Sequence, residues 1–155
     1  GYAQMITSTT KLNTPGAALG LLDGVHAVTD VTGFGLAGHA LEIARGAGVE
    51  VRIDWPSVPL LGGVRELAAQ GMVTGASSRN AAANASQITL PVDFPEIDAA
   101  LLHDPQTSGG LLVSCRPDLV NEVLALFHQQ GFEQAAVIGE VQAGAPGLRV
   151  AWPRP

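Results

Sequence analysis

Asp30 is the residue around which chemistry can most readily be built. It stands just ahead of Gly33 and Gly35 in Thr29-Asp30-Val31-Thr32-Gly33-Phe34-Gly35, a stretch too glycine-rich for the interior of a helix or strand. A carboxylate beside glycines suits a hard cation held together with phosphate. Mg²⁺ prefers oxygen ligands and keeps several waters, so one or two carboxylates suffice when phosphates supply the rest. The glycines let the backbone around Thr32, Gly33 and Gly35 approach an anion near a helix N-terminus. Two other roles compete. Asp30 could cap the helix or satisfy the turn. Gly33-Phe34-Gly35-Leu36-Ala37-Gly38 also fits G-x-G-x-x-G, with acidic Glu50 and Asp54 downstream, the pattern of a dinucleotide-binding module. Against that module, the strand before the glycines is short and ends in a carboxylate that would repel a pyrophosphate unless a metal lay between them. The rest of the chain also lacks repeated βαβ units.

A second polar, glycine-rich loop is Asp104-Pro105-Gln106-Thr107-Ser108-Gly109-Gly110. Thr107, Ser108 and Gly109 form the part that could cradle phosphate through N–H groups. The loop has no Walker-type lysine. Spacing alone favours a tight turn feeding a strand. Arg79, in Ser78-Arg79-Asn80, is the best candidate for bidentate contact with phosphate or carboxylate, with a surface salt bridge as its commoner use. His26 and His39 are thirteen positions apart with no third ligand near them, and His39 is expected to pack beside the Asp30 turn. His103 and His128 read as surface or loop residues. Cys115 reads as a small core residue at a strand end rather than a nucleophile. Trp55 and Trp152 read as core or interface aromatics.

These residues need elements to hold them. Helices are expected over residues 2–13, 17–22, 36–45, 64–70, 96–102 and 117–130, with an Ala-rich helical stretch after Asn80. Strands are expected over 25–28, 49–53, 111–115, 135–141 and 148–152. Strands interleaved with helices give an α+β domain, a mixed sheet with helices on both faces. A length of 155 residues suits one domain, and 46% apolar residues allow a real core. Only 14% are charged, which hints at surface meant to be covered. A net charge of −6 with the single lysine Lys11 excludes a nucleic-acid face or a polybasic membrane anchor. No apolar run is long enough for a membrane span. A lone cysteine points to a reducing cytoplasm. The opening Ala3-Gln4-Met5-Ile6 reads as mid-helix sequence without an initiator methionine, as in a fragment.

The two loops carry a resemblance. Thr29 to Leu36, followed by Gly38-His39, resembles the TDVTGFGLxGH segment of selenophosphate synthetases. DPQTSGGLL, Asp104 to Leu112, resembles their second C-terminal signature, and Ser78-Arg79-Asn80 a shorter motif between. The likeness runs in order from about Leu12 to Val150. It implies a single C-terminal domain over residues 1–155, three-layer α/β/α with a mixed sheet, akin to that of aminoimidazole ribonucleotide synthetase. It implies an enzyme that makes selenophosphate from selenide, ATP and water, releasing AMP and phosphate. ATP and Mg²⁺ would bind mainly in an N-terminal domain absent here, which would also carry the reactive Cys or Sec and an essential lysine. Asp30 falls on the family's C-terminal Mg²⁺ aspartate. A homodimer is implied, with the N-terminal domain as partner. Lys11 and Cys115 do not match the catalytic pair, so this chain alone should be inactive.

Overall fold

The computed structural model describes residues 1–152. Seven helices run over Tyr2–Thr9 (α1), Pro15–Leu19 (α2), Gly35–Ala47 (α3), Val64–Ala69 (α4), Gly75–Asn84 (α5), Glu96–Leu102 (α6) and Val120–Gln129 (α7). Six strands run over Val25–Asp30 (β1), Glu50–Asp54 (β2), Ile88–Thr89 (β3), Leu111–Cys115 (β4), Gly139–Gln142 (β5) and Gly147–Ala151 (β6). The α+β class holds, and the four-stranded sheet is mixed. Its order is β3-β6-β2-β5, with β6 parallel to both β2 and β3 and β5 antiparallel to β2.

The strands do not make one sheet. β1 and β4 pair only with each other, antiparallel. This two-stranded ladder is the one covered on both sides. Leu111, Val113 and Cys115 face α2 and α7 through Leu19, Val123 and Phe127, while Leu112 faces the larger core around α3. The four-stranded sheet is covered differently. Val51 and Ile53 of β2 and Leu148 and Val150 of β6 bury against Ala37, Ala40, Leu41 and Ala44 of α3. The alternate residues carry the charges: Arg52 pairs with Glu140, and Arg149 with Glu50. Period-two alternation sends those side chains away from the core, so helices cover this sheet on one face where cover on both was expected.

Helix α3 positions the site. Gly35, at φ +68°, turns the chain into it, and Gly48, also at φ +68°, ends it in the left-handed conformation that suits glycine. Gly46, just beyond the expected helix end at residue 45, lies within the helix. Trp55 is buried; its indole N–H donates to Asp98, 2.7 Å away, and Asp98 also pairs with Arg65 at 2.8 Å. Phe94 stands edge-on between Trp55 and Trp152.

Candidate functional site

The first correction to the sequence reading concerns Asp30 itself. The strand expected to stop at Val28 runs on through Thr29 and Asp30, which pair with Leu112 and Leu111. Asp30 is therefore the last residue of β1, and the turn begins at Val31. Its carboxylate is exposed and enters no hydrogen bond or ion pair among the described residues. It caps nothing: the residue at the helix N-terminus is Phe34, and no side chain caps it.

Because β1 and β4 are antiparallel, the turn leaving β1 and the loop entering β4 lie at the same end of the ladder. They are stitched together. The Val31 N–H donates to Gly110 O at 2.9 Å, and the Gln106 N–H to Thr32 O at 3.0 Å. Gly109 packs so closely that a Cβ there would stand 1.9 Å from Val31 O. Gly35 is buried, and a Cβ on it would meet the His103 carbonyl carbon at 2.6 Å. Asn80, on α5, donates from one amide nitrogen to Gly33 O at 2.9 Å and to His103 O at 3.1 Å. Ser77, one turn earlier, donates to Asp104 Oδ1 at 3.1 Å. Asn13, in the strap between α1 and α2, donates to Gly109 O at 2.9 Å.

The expected anion-binding residues thus divide. The Thr32 N–H is already bound to His39 Nε2 at 3.0 Å, and the Gly35 N–H to Thr32 O at 3.1 Å. Both amides are taken up within the turn and the helix it leads into. Gly33, Thr107, Ser108 and Gly109 differ: their N–H groups donate to no acceptor among the described residues. Ser108 holds φ +52°, rare for a residue with a Cβ, and Thr107 and Ser108 are exposed. The dinucleotide pattern fares poorly, since Gly35 and Gly38 abut protein: a Cβ on Gly38 would meet Phe34 Cβ at 2.4 Å.

Asp30 is the free carboxylate beside the two loops, for Asp104 is held by Ser77 and by Gln106. No cluster of three His, Cys, Asp or Glu occurs among the described residues. Asp30 could hold Mg²⁺ as a single ligand, with phosphate and another domain supplying the rest, which is chemistry Mg²⁺ accepts.

The other candidates separate cleanly. Arg79 is exposed, lies near Gly75 and forms no ion pair among the described residues, so the expected salt bridge is absent and its neighbour Asn80 does the structural work. His39 is buried beside the turn, as expected. His103, expected at the surface, is 3% exposed with its Nδ1 unpartnered, and burial lowers its pKa. Burial, with Asp118 nearby, raises the Cys115 thiol pKa, which disfavours the thiolate. Lys11 donates to Gly131 O and lies over the Phe132 ring, far from a catalytic role. Sequence reasoning missed Asn13, Asn80 and Ser77 as the residues that join the loops; their signal was only that small amides and hydroxyls serve turns.

The fold and the site together define an α+β domain with two loops pinned at one end of a strand ladder, one loop beside an exposed carboxylate and both carrying amides that meet no acceptor among the described residues. The chain belongs to the family described as AIR synthase related protein, C-terminal domain, whose model matches residues 7–151. It is 57% identical over 150 residues to a selenide, water dikinase of Burkholderia pseudomallei (strain K96243), covering 97% of this chain and 42% of that protein. It therefore spans less than half the length of that curated relative. Its fold is similar to the hydrogenase maturation protein HypE of E. coli, with a TM-score of 0.66 at 20% identity, covering 94% of this chain and 37% of that one. HypE in complex with ATP gives a TM-score of 0.63, also at 20% identity, over 91% of this chain and 37% of that one. No helix among the described residues is long and apolar enough to cross a membrane.

Proposed function

We propose that this chain is the C-terminal domain of a selenide, water dikinase and supplies one wall of its Mg²⁺–ATP site. The observation that carries the reading is the Asp30 carboxylate at the end of β1, without a partner among the described residues, beside two loops whose Gly33, Thr107, Ser108 and Gly109 amides meet no acceptor there. Phosphoryl transfer is mostly positioning and charge neutralisation. Mg²⁺, when bound, neutralises charge on the phosphate oxygens. Asp30 would hold one such ion, and the free amides would orient phosphate. Selenide would be phosphorylated with ATP and water consumed and AMP and phosphate released.

The nucleophile and catalytic lysine would come from the chain's own N-terminal domain, since Lys11 and Cys115 are committed elsewhere, and the whole enzyme would be a cytoplasmic homodimer. The 57% identity to a selenide, water dikinase, confined to 42% of that protein, supports both the activity and the need for a second domain. Asp30→Asn in the full-length protein tests the reading. Losing about 3 kcal/mol of transition-state stabilisation would slow Mg²⁺-dependent turnover by on the order of a hundredfold. Stability should move by only about 0.5 kcal/mol, as for other exposed positions. Full Mg²⁺-dependent activity in Asp30→Asn would remove Asp30 from the metal.

A further inference from the structure

The geometry points to Glu42 as a positioning residue that, acting through His39, holds the Asp30–Gly35 turn in its working shape. The inference deepens the Mg²⁺–ATP reading and rests on it for its purpose, though not for its test. The Thr32 N–H can only donate, and it points at His39 Nε2 from 3.0 Å. That nitrogen must therefore carry its lone pair. A neutral imidazole with a bare Nε2 has its proton on Nδ1. Nδ1 in turn lies 2.9 Å from Glu42 Oε2, a carboxylate that can only accept. The three groups form a polarity chain with one consistent direction: Glu42 accepts from Nδ1–H, and Nε2 accepts from Thr32.

Helical spacing makes the pair possible, because residues three apart share a face. His39 and Glu42 are so placed on α3, with His39 5% exposed and Glu42 at the surface. The Thr32 hydroxyl also lies 3.2 Å from Nε2, so this one nitrogen faces both donors of the residue two after Asp30. Gly38 fits the same arrangement, since a side chain there would collide with Phe34, whose ring leans on His39 at 5.7 Å. Glu42 lies outside the turn and makes no contact with phosphate or metal in this reading. Its effect is to choose which imidazole nitrogen is the acceptor, as partners of metal-bound histidines do.

The test uses the full-length protein, with Glu42→Gln and Glu42→Lys as variants at an exposed helical position where the fold should survive. In the parent, ¹⁵N-histidine spectra at about pH 8, where a free imidazole is neutral, should show His39 with its proton on Nδ1. Glu42→Gln retains an acceptor and should keep that tautomer. Glu42→Lys presents only donors, so the proton should move to Nε2, where it faces the Thr32 N–H. Hydrogen exchange at Thr32 should then accelerate roughly tenfold or more, the factor set by one net hydrogen bond, and Glu42→Gln should restore most of it. A parent His39 protonated on Nε2, or Thr32 exchange in Glu42→Lys equal to the parent, overturns the inference. Neither measurement needs nucleotide. An active Asp30→Asn would sink the metal reading and leave this one to its own result.

Discussion

Gly109→Ala should damage this domain, whereas Gly110→Ala next to it should not. A Cβ at position 109 would stand 1.9 Å from Val31 O and 2.9 Å from Gln106 Cβ, while at position 110 nothing lies within 4 Å. The residue at 109 does not sit in the left-handed region, so the cost is contact and not backbone strain. A backbone carbonyl cannot rotate away as a side-chain tip can, so the loop itself must withdraw. Withdrawal breaks the Val31 N–H bond to Gly110 O and the Asn13 bond to Gly109 O. Each is worth about 1 kcal/mol net. Residual crowding adds roughly 1 kcal/mol, the low end for overpacking. The sum, about 3 kcal/mol, corresponds to a fall in melting temperature of roughly 6–12 °C for a domain of this size. Urea unfolding of the two variants beside the parent measures it. If Gly109→Ala unfolds within about 0.5 kcal/mol of Gly110→Ala, the range of ordinary surface substitutions, the close packing of the two loops is refuted.

Asp98→Ala leaves the Trp55 indole N–H and Arg65 without their shared acceptor and should cost about 3 kcal/mol in urea unfolding, as expected on breaking a buried pair; Asp98→Asn, which keeps an acceptor for Trp55, should cost less. His103 has its pKa lowered by burial, so below about 6.5, the unfolded value, the unfolded chain takes up a proton that the folded one refuses. Its contribution is complete above that pH and is lost as pH falls toward the lowered folded value, so the urea midpoint should drop less on acidification in His103→Gln than in the parent. Cys115, half-buried with a raised thiol pKa, should react with iodoacetamide slowly at neutral pH and much faster once urea unfolds the chain; equal rates would contradict the placement.

The helical spacing of Leu36, Ala40, Leu41 and Ala44 and the alternation of Val51 and Ile53 were legible because each pattern is local. Long-range pairing was not. Thr29 and Asp30 look like turn residues, and only Leu112 and Leu111, 83 and 81 positions away in sequence, make them strand. Ala135 to Ile138 have the composition of a strand but lie outside one, with pairing along β2 taking hold at Gly139, which packs against Arg52 O. The polar face of β2 and β6 was visible in Arg52 and Arg149, yet the apolar content suggested cover on both sides. At the site, charge drew attention to Arg79, whereas Asn80 holds the loops. An amide that joins two backbone carbonyls leaves no periodic or charge signature.

Asn80 has a mechanical consequence. Gly33 O and His103 O sit a hydrogen-bond length either side of one nitrogen atom. An amide group is planar and stiff, so the two turns cannot slide past each other without breaking at least one of these bonds. Their relative position is set by a part of fixed dimensions, in the way a pin sets two plates. Movement at this end of the domain is therefore favoured between the pinned pair and whatever faces it, rather than inside the pair.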